Sequence, residues 1–260
     1  MKKNHPFHMV TSSPWPILTS LTIFMTMNST IEMFHNKNST MMMLSMTTTI
    51  TCLYQWWRDI TRESSFQGMH TKKVNQMMKS GMILFIVSEV MFFSSFFWSF
   101  FHSSLSPSIE IGMNWPPKSI YSFNPMEIPL LNTIILLSSG MSITWAHNSI
   151  LSNKFKLTNK ATMITIIMGL IFTTLQWWEY TQSPFTISDS IYGSTFFMAT
   201  GFHGIHVIVG TMFIFFSKMR NKNFQLTHNH HSGFEMAIWY WHFVDIVWLF
   251  LYISIYWWGK

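Results

Sequence analysis

The sequence predicts an all-α, polytopic membrane protein with seven transmembrane helices. Three observations predict it: a composition poor in charge, seven long apolar stretches, and an uneven distribution of Lys and Arg between alternate connections. Of the 260 residues, 48% are hydrophobic and only 10% are charged, whereas a soluble domain carries about 25% charged residues. So little charge cannot cover a surface that faces water, which disfavours a soluble fold.

Seven stretches are long enough to cross a bilayer as helices, because a hydrocarbon core of about 30 Å needs about 20 residues. The first two are the least apolar, being rich in Thr, Ser and Met, and the last five are stronger. The predicted spans are residues 16–34, 39–57, 80–102, 129–151, 161–180, 191–216 and 236–258.

Two connections organise the chain. Residues 58–79 mix both signs of charge and separate the two weak helices from the five stronger ones, so we divide the chain into residues 1–64 and 65–260. Residues 102–127 contain "NWPPKS" and "NPMEIP". Proline blocks helix there and favours an ordered loop.

The distribution of basic residues predicts the orientation. With seven spans, thirteen of the 16 Lys and Arg residues fall on the side of the N-terminus, and the positive-inside rule makes that side the cytoplasmic or matrix side. The net charge of +6 then reflects topology and contact with anionic lipid rather than nucleic-acid binding. The side of the N-terminus holds Lys2, Lys3, Arg58, Arg62, Lys72, Lys73, Lys79, Lys154, Lys156, Lys160, Lys218, Arg220 and Lys222; the other side holds Lys37, Lys118 and Lys260.

The N-terminal stretch "MKKNHPFHMV" is followed by Pro14 and Pro16 and lacks a small-residue cleavage site, so we expect the first helix to insert and remain. The single Cys52 excludes an intramolecular disulfide and makes a cysteine-based metal site untenable.

Polar groups inside the spans are the candidates for function. A charged group at the bilayer centre costs from a few to more than ten kcal/mol, so such groups are rare and usually have a role. Such groups should face protein, water or a partner subunit. The candidates are Glu89, His147, Glu179, His203, His206, Glu235, His242 and Asp245.

Glu89 stands in "ILFIVSEVMFF", where its helix offers apolar neighbours and no counter-charge. Two interpretations remain open. The carboxyl exchanges protons, or it is a neutral acid that donates one hydrogen bond to another helix.

His203 and His206 lie three residues apart on one helix face, a spacing compatible with a metal pair. The glycines around them favour close helix packing instead, with the imidazoles bonding across the contact. His242 and Asp245 also share a face, where the carboxylate could fix the imidazole tautomer.

Common enzyme signatures are missing from the sequence: it has no glycine-rich phosphate loop and no helical H-E-x-x-H pair. A di-haem arrangement with two histidines on each of two helices is also disfavoured. The residues alone therefore leave two classes open, a carrier of protons or solute and a helper subunit of a larger complex.

The chain resembles cytochrome c oxidase subunit III along almost its whole length. The motifs that carry the resemblance are "YQWWRDITRESSFQGMHT", "GMILFIVSEVMFFSSFFWSFFHSSL", "WPP", "SGMSITWAHNS", "SPFTISDSIYGSTFFMATGFHGIHVIVG" and "GFEMAIWYWHFVDIVWLFLYISIYWWG".

This resemblance implies a V-shaped arrangement of two helices and five helices, with phospholipid in the cleft. It also implies a non-redox core subunit of the terminal oxidase, which passes electrons from cytochrome c to dioxygen and pumps protons. Haem and copper would lie in the partner subunits, with no catalytic residue and no metal in this chain. The expected partners are oxidase subunits I and II, accessory subunits, phospholipids and a possible respiratory supercomplex, but no nucleic acid.

The resemblance also implies roles for individual residues. Glu89 matches the buried carboxyl that the family places beside the catalytic subunit, with a role in sustaining proton uptake. The abundance of Met, 23 residues, favours an organelle genome and hence the mitochondrial inner membrane, with the N-terminus in the matrix and the C-terminus in the intermembrane space. Lipid headgroups are expected at Trp57, Arg62, Glu63, His70, Arg220 and His230, and structural polar roles at His147, His203, His206, Glu235, His242 and Asp245.

Overall fold

The computed structural model describes residues 6–260, and Lys2 and Lys3 of the orientation argument lie outside them. The described residues form seven long α-helices, a short 3₁₀ turn at Ile109–Ile111 and a π-helix at Tyr252–Trp258 that continues the last helix, with no strand among them. The all-α prediction is confirmed, and the described residues contain seven long helices, of which five are membrane-span candidates. The helices are α1 (Trp15–Asn36), α2 (Thr40–Ser65), α3 (Lys72–Leu105), α4 (Ile128–Leu151), α5 (Phe155–Thr181), α6 (Ile191–Lys222) and α7 (Ser232–Leu251).

Counting the π-helical turns with α7, the helices are longer than the predicted spans, because polar turns extend them beyond the apolar stretches. Helix α3 has 34 residues, which at 1.5 Å per residue is about 50 Å, well above the thickness of the hydrocarbon core. Its added N-terminal turns carry the basic residues Lys72, Lys73 and Lys79.

Five helices, α3 to α7, are long and apolar enough to cross a membrane, the last one counted through Trp258. Helices α1 and α2 fall below that standard because hydroxyl residues interrupt their apolar character. Many of these hydroxyls donate to a carbonyl of the preceding turn, as Thr26 does to Ile23 at 2.6 Å and Thr47 to Leu44 at 2.8 Å. Such bonds leave few polar groups unpaired within the helix.

The chain divides into two compact units, Met1–Met78 and Lys79–Lys260. In the described part of the first unit, α1 and α2 form a helical hairpin whose turn places Lys37 in the left-handed region at φ 54°. The hydroxyls of Ser29 and Ser45 lie 2.7 Å apart in the contact between the two helices. The predicted division at residues 64 and 65 remains a prediction.

The second unit is built around α7, whose Trp241 and Trp248 are completely buried. Trp241 donates through Nε1 to the Ser139 hydroxyl of α4 at 2.9 Å, which fixes the position of its ring. Gly210 of α6 lies against that ring, so that a Cβ added there would come 2.9 Å from Trp241 Cε3. The close approach of α6 to α7 therefore depends on glycine at this position.

Replacing Gly210 by Ala should reduce assembly of the protein, because the anchored indole cannot move aside and overpacking costs about 1–3 kcal/mol. The yield of assembled, membrane-extracted complex measures the effect. Gly201→Ala on the same helix is the control, since its Cβ would meet only Tyr180 Oη at an ordinary 3.7 Å. Equal yields for the two variants would contradict the packing argument.

Candidate functional site

A carboxyl and an imidazole from different helices meet inside the second unit. Glu89 Oε2 of α3 lies 2.9 Å from His206 Nε2 of α6. The other ring nitrogen of His206, Nδ1, lies 2.7 Å from the Phe202 carbonyl oxygen. A carbonyl oxygen only accepts, so Nδ1 carries a hydrogen and donates it.

This geometry fixes the number of protons that the pair can share. With Nδ1 protonated, Nε2 of a neutral ring has a lone pair and accepts from a protonated Glu89; alternatively, the imidazolium donates from Nε2 to the carboxylate. Either arrangement places one exchangeable proton between Nε2 and Oε2. The pair therefore shares a single hydrogen between Nε2 and Oε2.

Aromatic rings surround the pair. The ring of His206 has its centroid 5.0 Å from that of Phe93, 6.2 Å from that of Tyr240 and 6.3 Å from that of Phe243. Glu89 nevertheless keeps 21% of its side chain exposed in the isolated chain. Glu89 is therefore half-buried within this chain, in line with an apolar stretch of α3 of which only 11% is buried here.

His203 and His206 do not converge on a common point. His203 is buried, its Nε2 lies 3.2 Å from the Val244 carbonyl oxygen of α7, and its ring packs between Phe172 and Trp248. One imidazole thus contacts α7 and the other contacts α3. This geometry favours the packing interpretation over a metal pair.

His242 and Asp245 are neighbours, but the predicted tautomer-fixing hydrogen bond is not formed. Nδ1 of His242 lies 3.8 Å from Asp245 Oδ2, which exceeds hydrogen-bonding distance. Asp245 is buried against Gly140 of α4, whereas His242 is partly exposed. Glycine at position 140 of α4 leaves room for the carboxyl, since an added Cβ would come 2.9 Å from Asp245 Oδ2 and 3.7 Å from the His242 ring.

A second buried polar group centres on Glu179 of α5. Glu179 is 1% exposed, and it lies beside Gln176 and the buried hydroxyl of Tyr256. None of the polar side-chain atoms of Glu179 and Gln176 forms a well-aligned hydrogen bond in the described structure. Asn132 of α4 is also completely buried with an unpaired amide. Sequence reasoning missed Gln176 and Asn132 because it searched for charged groups, although any polar residue in an apolar helix is a usable signal.

A polar cluster lies near the C-terminal end of α2 in the first unit. Asp59 accepts from Trp15 Nε1 at 2.7 Å and lies 3.6 Å from Arg62 Nη1. The hydrogen bond from Trp15 lowers the pKa of Asp59 most strongly, and Arg58 and Arg62 lower it further. Asp59 therefore stays ionised and orients the arginines.

The other predicted headgroup residues of the first unit lie in the same region of the chain. Glu63 Oε2 is 3.4 Å from His8 Nε2, and the rings of His8 and His70 are 5.9 Å apart. Trp57 is 55% exposed. Asp59 and His8 were not predicted, because their role depends on contacts across the hairpin that no local pattern reveals.

Arg220 and His230, the headgroup candidates of the second unit, lie at the end of α6 and in the loop after it. The Arg220 guanidinium lies next to Gly233, where an added Cβ would come 3.2 Å from Nη1. His230 is half-buried, with its backbone N–H bonded to the Thr227 hydroxyl at 3.1 Å.

His147 and Glu235 come together with two further residues. His231, which precedes α7, has its Nε2 3.4 Å from Glu235 Oε1, and its ring centroid lies 5.5 Å from that of His147. Lys79 of α3 forms an ion pair with Glu235. The structural roles predicted for His147 and Glu235 therefore fall within one charged cluster at an end of the helices.

Five apolar helices, a half-buried carboxyl–imidazole pair and charged clusters at helix ends define a polytopic helical membrane protein. The family model for cytochrome c oxidase subunit III matches residues 5–260. The chain therefore belongs to the cytochrome c oxidase subunit III family.

Curated relatives support this membership. Cytochrome c oxidase subunit 3 of Drosophila melanogaster is 56% identical over 256 residues, covering 98% of each chain. The subunit 3 proteins of Anopheles quadrimaculatus and Pelea capreolus are each 55% identical, with 99% of this chain covered and 98% and 99% of theirs.

Membership of the family decides between the two classes that the sequence left open. The chain is a subunit of the terminal oxidase, with other oxidase subunits as its partners, and a multi-pass protein of the mitochondrial inner membrane. Its family is a non-catalytic one within the oxidase.

Proposed function

We propose that this subunit sustains proton uptake by the catalytic subunit through the Glu89–His206 pair. The observation that carries the proposal is the 2.9 Å contact between Glu89 Oε2 and His206 Nε2, with Nδ1 engaged by a carbonyl. The pair then holds one proton that can shift between Oε2 and Nε2; passing it on leaves the pair one unit more negative until another proton is taken up. Such a pair is suited to exchanging protons at a protein interface inside a membrane.

The outer face of α3 supports placing this pair beside another subunit. Leu84, Met91 and Trp98 are 70%, 67% and 69% exposed and recur every seven residues, so they form an apolar stripe. A stripe of this kind suits either lipid or a partner helix. Glu89 is half-buried on the same helix, and a partner helix would spare its carboxyl from contact with lipid.

We propose that the headgroup residues bind phospholipid. In the first unit, Arg62 is 56% exposed and Trp57 is 55% exposed, so a cation and an indole are accessible near the end of α2. Together with Glu63 and His70 they suit a zwitterionic or anionic headgroup at the membrane interface. In the second unit, Arg220 and His230 are the corresponding candidates.

Replacing Arg62 by Gln should remove about one tightly held phospholipid per oxidase, because a cation–phosphate hydrogen bond is lost. Mass spectrometry of lipid retained after detergent purification measures this. Arg58→Gln is the matched control, since Arg58 Nη2 also lies 3.1 Å from Asp59 Oδ1 but is not among the headgroup residues. Equal lipid loss in both variants would assign the effect to the Asp59 cluster as a whole.

The proposed orientation places the N-terminus in the matrix and the C-terminus in the intermembrane space. Contacts within the second unit support one charged end: Asn221 of α6 donates to Asn159 of α5 at 2.9 Å, and Lys79 of α3 pairs with Glu235 of α7. These contacts are consistent with basic residues gathered at one end of the second unit, which supports the proposed orientation by the positive-inside rule.

The V-shaped arrangement of two and five helices, phospholipid in its cleft, contacts with subunits I and II and accessory subunits, and assembly into a supercomplex are proposals that rest on the family resemblance. Selective removal of this subunit from the purified oxidase tests the proposed function as a whole.

A further inference from the structure

Three side chains with metal-binding atoms converge at the charged end of the second unit. His147 lies near the end of α4, His231 lies immediately before α7, and Glu235 lies in the first turn of α7. One donor atom from each residue lies within 4.8 Å of the other two. Three separate parts of the fold therefore bring their ligand atoms to one place.

The distances suit a tetrahedral ion after small movements of the side chains. Zinc bonds of about 2.0–2.1 Å to nitrogen and oxygen place tetrahedral ligand atoms about 3.3 Å apart. The contact between His231 Nε2 and Glu235 Oε1, 3.4 Å, already has this spacing. The donor atom of His147 lies within 4.8 Å of the other two, so it has to approach by at most about 1.5 Å, which a rotation of its side chain provides.

Both histidines have a ring nitrogen without a hydrogen-bond partner, as a metal ligand requires. His231 is 6% exposed, its Nδ1 lies 3.0 Å from the Thr227 carbonyl oxygen and its Nε2 has no hydrogen-bond partner. A carbonyl that accepts from Nδ1 leaves the lone pair on Nε2 and orients the ring, as is usual for histidine ligands of metals. The Nε2 atom of His147 is also buried and without a hydrogen-bond partner.

Lys79 supplies the positive charge at this place in the present structure, through its ion pair with Glu235. Its side chain is one-third exposed and has room to swing toward the surface. The Lys79 ammonium group and a divalent metal ion both neutralise the Glu235 carboxylate. Only the metal ion also binds the lone pairs of the two imidazole nitrogens.

We propose that His147, His231 and Glu235 form a zinc site in which Zn²⁺ displaces the Lys79 ammonium group. Two imidazoles and one carboxylate are a ligand set that Zn²⁺ takes readily, with water in the fourth position. Binding links the end of α4 to the start of α7. The proposal departs from the expectation of no metal in this chain, because His147 and Glu235 are 88 residues apart and only the fold brings them together.

Equilibrium dialysis of the intact purified oxidase against radioactive Zn²⁺ tests the proposal. Relative to wild type, His231→Gln and Glu235→Gln should each weaken one class of bound zinc by about 10- to 100-fold. Lys79→Met should tighten the same class by about tenfold, because a competing cation is removed. His228→Gln, an exposed histidine in the same loop, should leave every class unchanged.

Zinc K-edge absorption gives a second measurement on the wild-type complex. The difference between spectra of the wild type and of the His231→Gln variant should show imidazole scattering and first-shell distances of about 2.0–2.1 Å. Identical zinc titrations for wild type, His231→Gln and Glu235→Gln would overturn the site. Unchanged affinity in Lys79→Met would overturn the displacement. If a ligand variant fails to assemble, the comparison of zinc affinity between wild type and Lys79→Met is used instead. Equal zinc affinity in these two proteins refutes the proposal.

Discussion

Replacing Glu89 by Gln is expected to leave the initial rate of oxygen reduction near the wild-type value and to shorten the active lifetime of the enzyme by about fivefold. Glutamine keeps the size of the side chain but cannot exchange a proton with His206. The glutamine amide can still donate a hydrogen bond to His206 Nε2, so the expected effect comes from the lost exchangeable proton; about 1 kcal/mol on the barrier to inactivation corresponds to about fivefold in rate. The measurement is oxygen consumption followed until half of the activity is lost.

Two variants control this experiment. Ser88→Ala changes the neighbouring residue on α3 and should keep the wild-type lifetime. The Ser88 hydroxyl donates to the Phe85 carbonyl of its own helix at 2.6 Å. His206→Gln removes the other partner and should resemble Glu89→Gln. A lifetime that is normal in Glu89→Gln, or equally short in Ser88→Ala, would contradict the role of the pair.

Removing the whole subunit from the purified oxidase should have a larger effect, shortening the active lifetime by about tenfold or more while the first turnovers stay fast. The electron-transfer centres lie in other subunits by the proposal, so oxygen chemistry begins normally. Without the subunit, both the carboxyl pair and the proposed lipid contacts are lost. Loss of these contacts raises the rate of irreversible inactivation.

Rebinding of the purified subunit supplies the control for this second experiment. Wild-type subunit should restore the long lifetime, and subunit carrying Glu89→Gln should restore only part of it. An oxidase that loses its initial activity at once on removal of the subunit would contradict a supporting role and would point to participation in catalysis.

The helices were predictable because length and apolar character are local properties. Helices α3 to α7 were predicted from runs of about 20 apolar residues. Their additional turns consist of flanking polar residues, whose conformation the thickness of the bilayer does not determine. The weakness of α1 and α2 was also visible, in the Thr and Ser residues whose hydroxyls the structure pairs with backbone carbonyls.

The contacts of the candidate site were less predictable, because they depend on which helix faces which. Glu89 and His206 are 117 residues apart, and only the packing of α3 against α6 brings them together. The same applies to Trp15 and Asp59, which join the two ends of the hairpin. Spacing alone grouped His203 with His206 and His242 with Asp245, whereas the structure gives each imidazole a different environment.

The partial exposure of Glu89 has a related cause. An apolar sequence around a carboxyl predicts an apolar environment, but it does not show whether that environment is the same chain, lipid or another subunit. The structure shows that this chain covers Glu89 only in part.

The most direct test of the central claim is the rate of proton uptake from the matrix side during turnover, measured with a pH-sensitive dye in oxidase vesicles. Glu89→Gln and Ser88→Ala enzymes are compared over the first turnovers at high pH, where protons are scarce. The account predicts slower uptake in Glu89→Gln alone. Equal uptake in both variants, with a short lifetime still found for Glu89→Gln, would show that the pair only holds the interface.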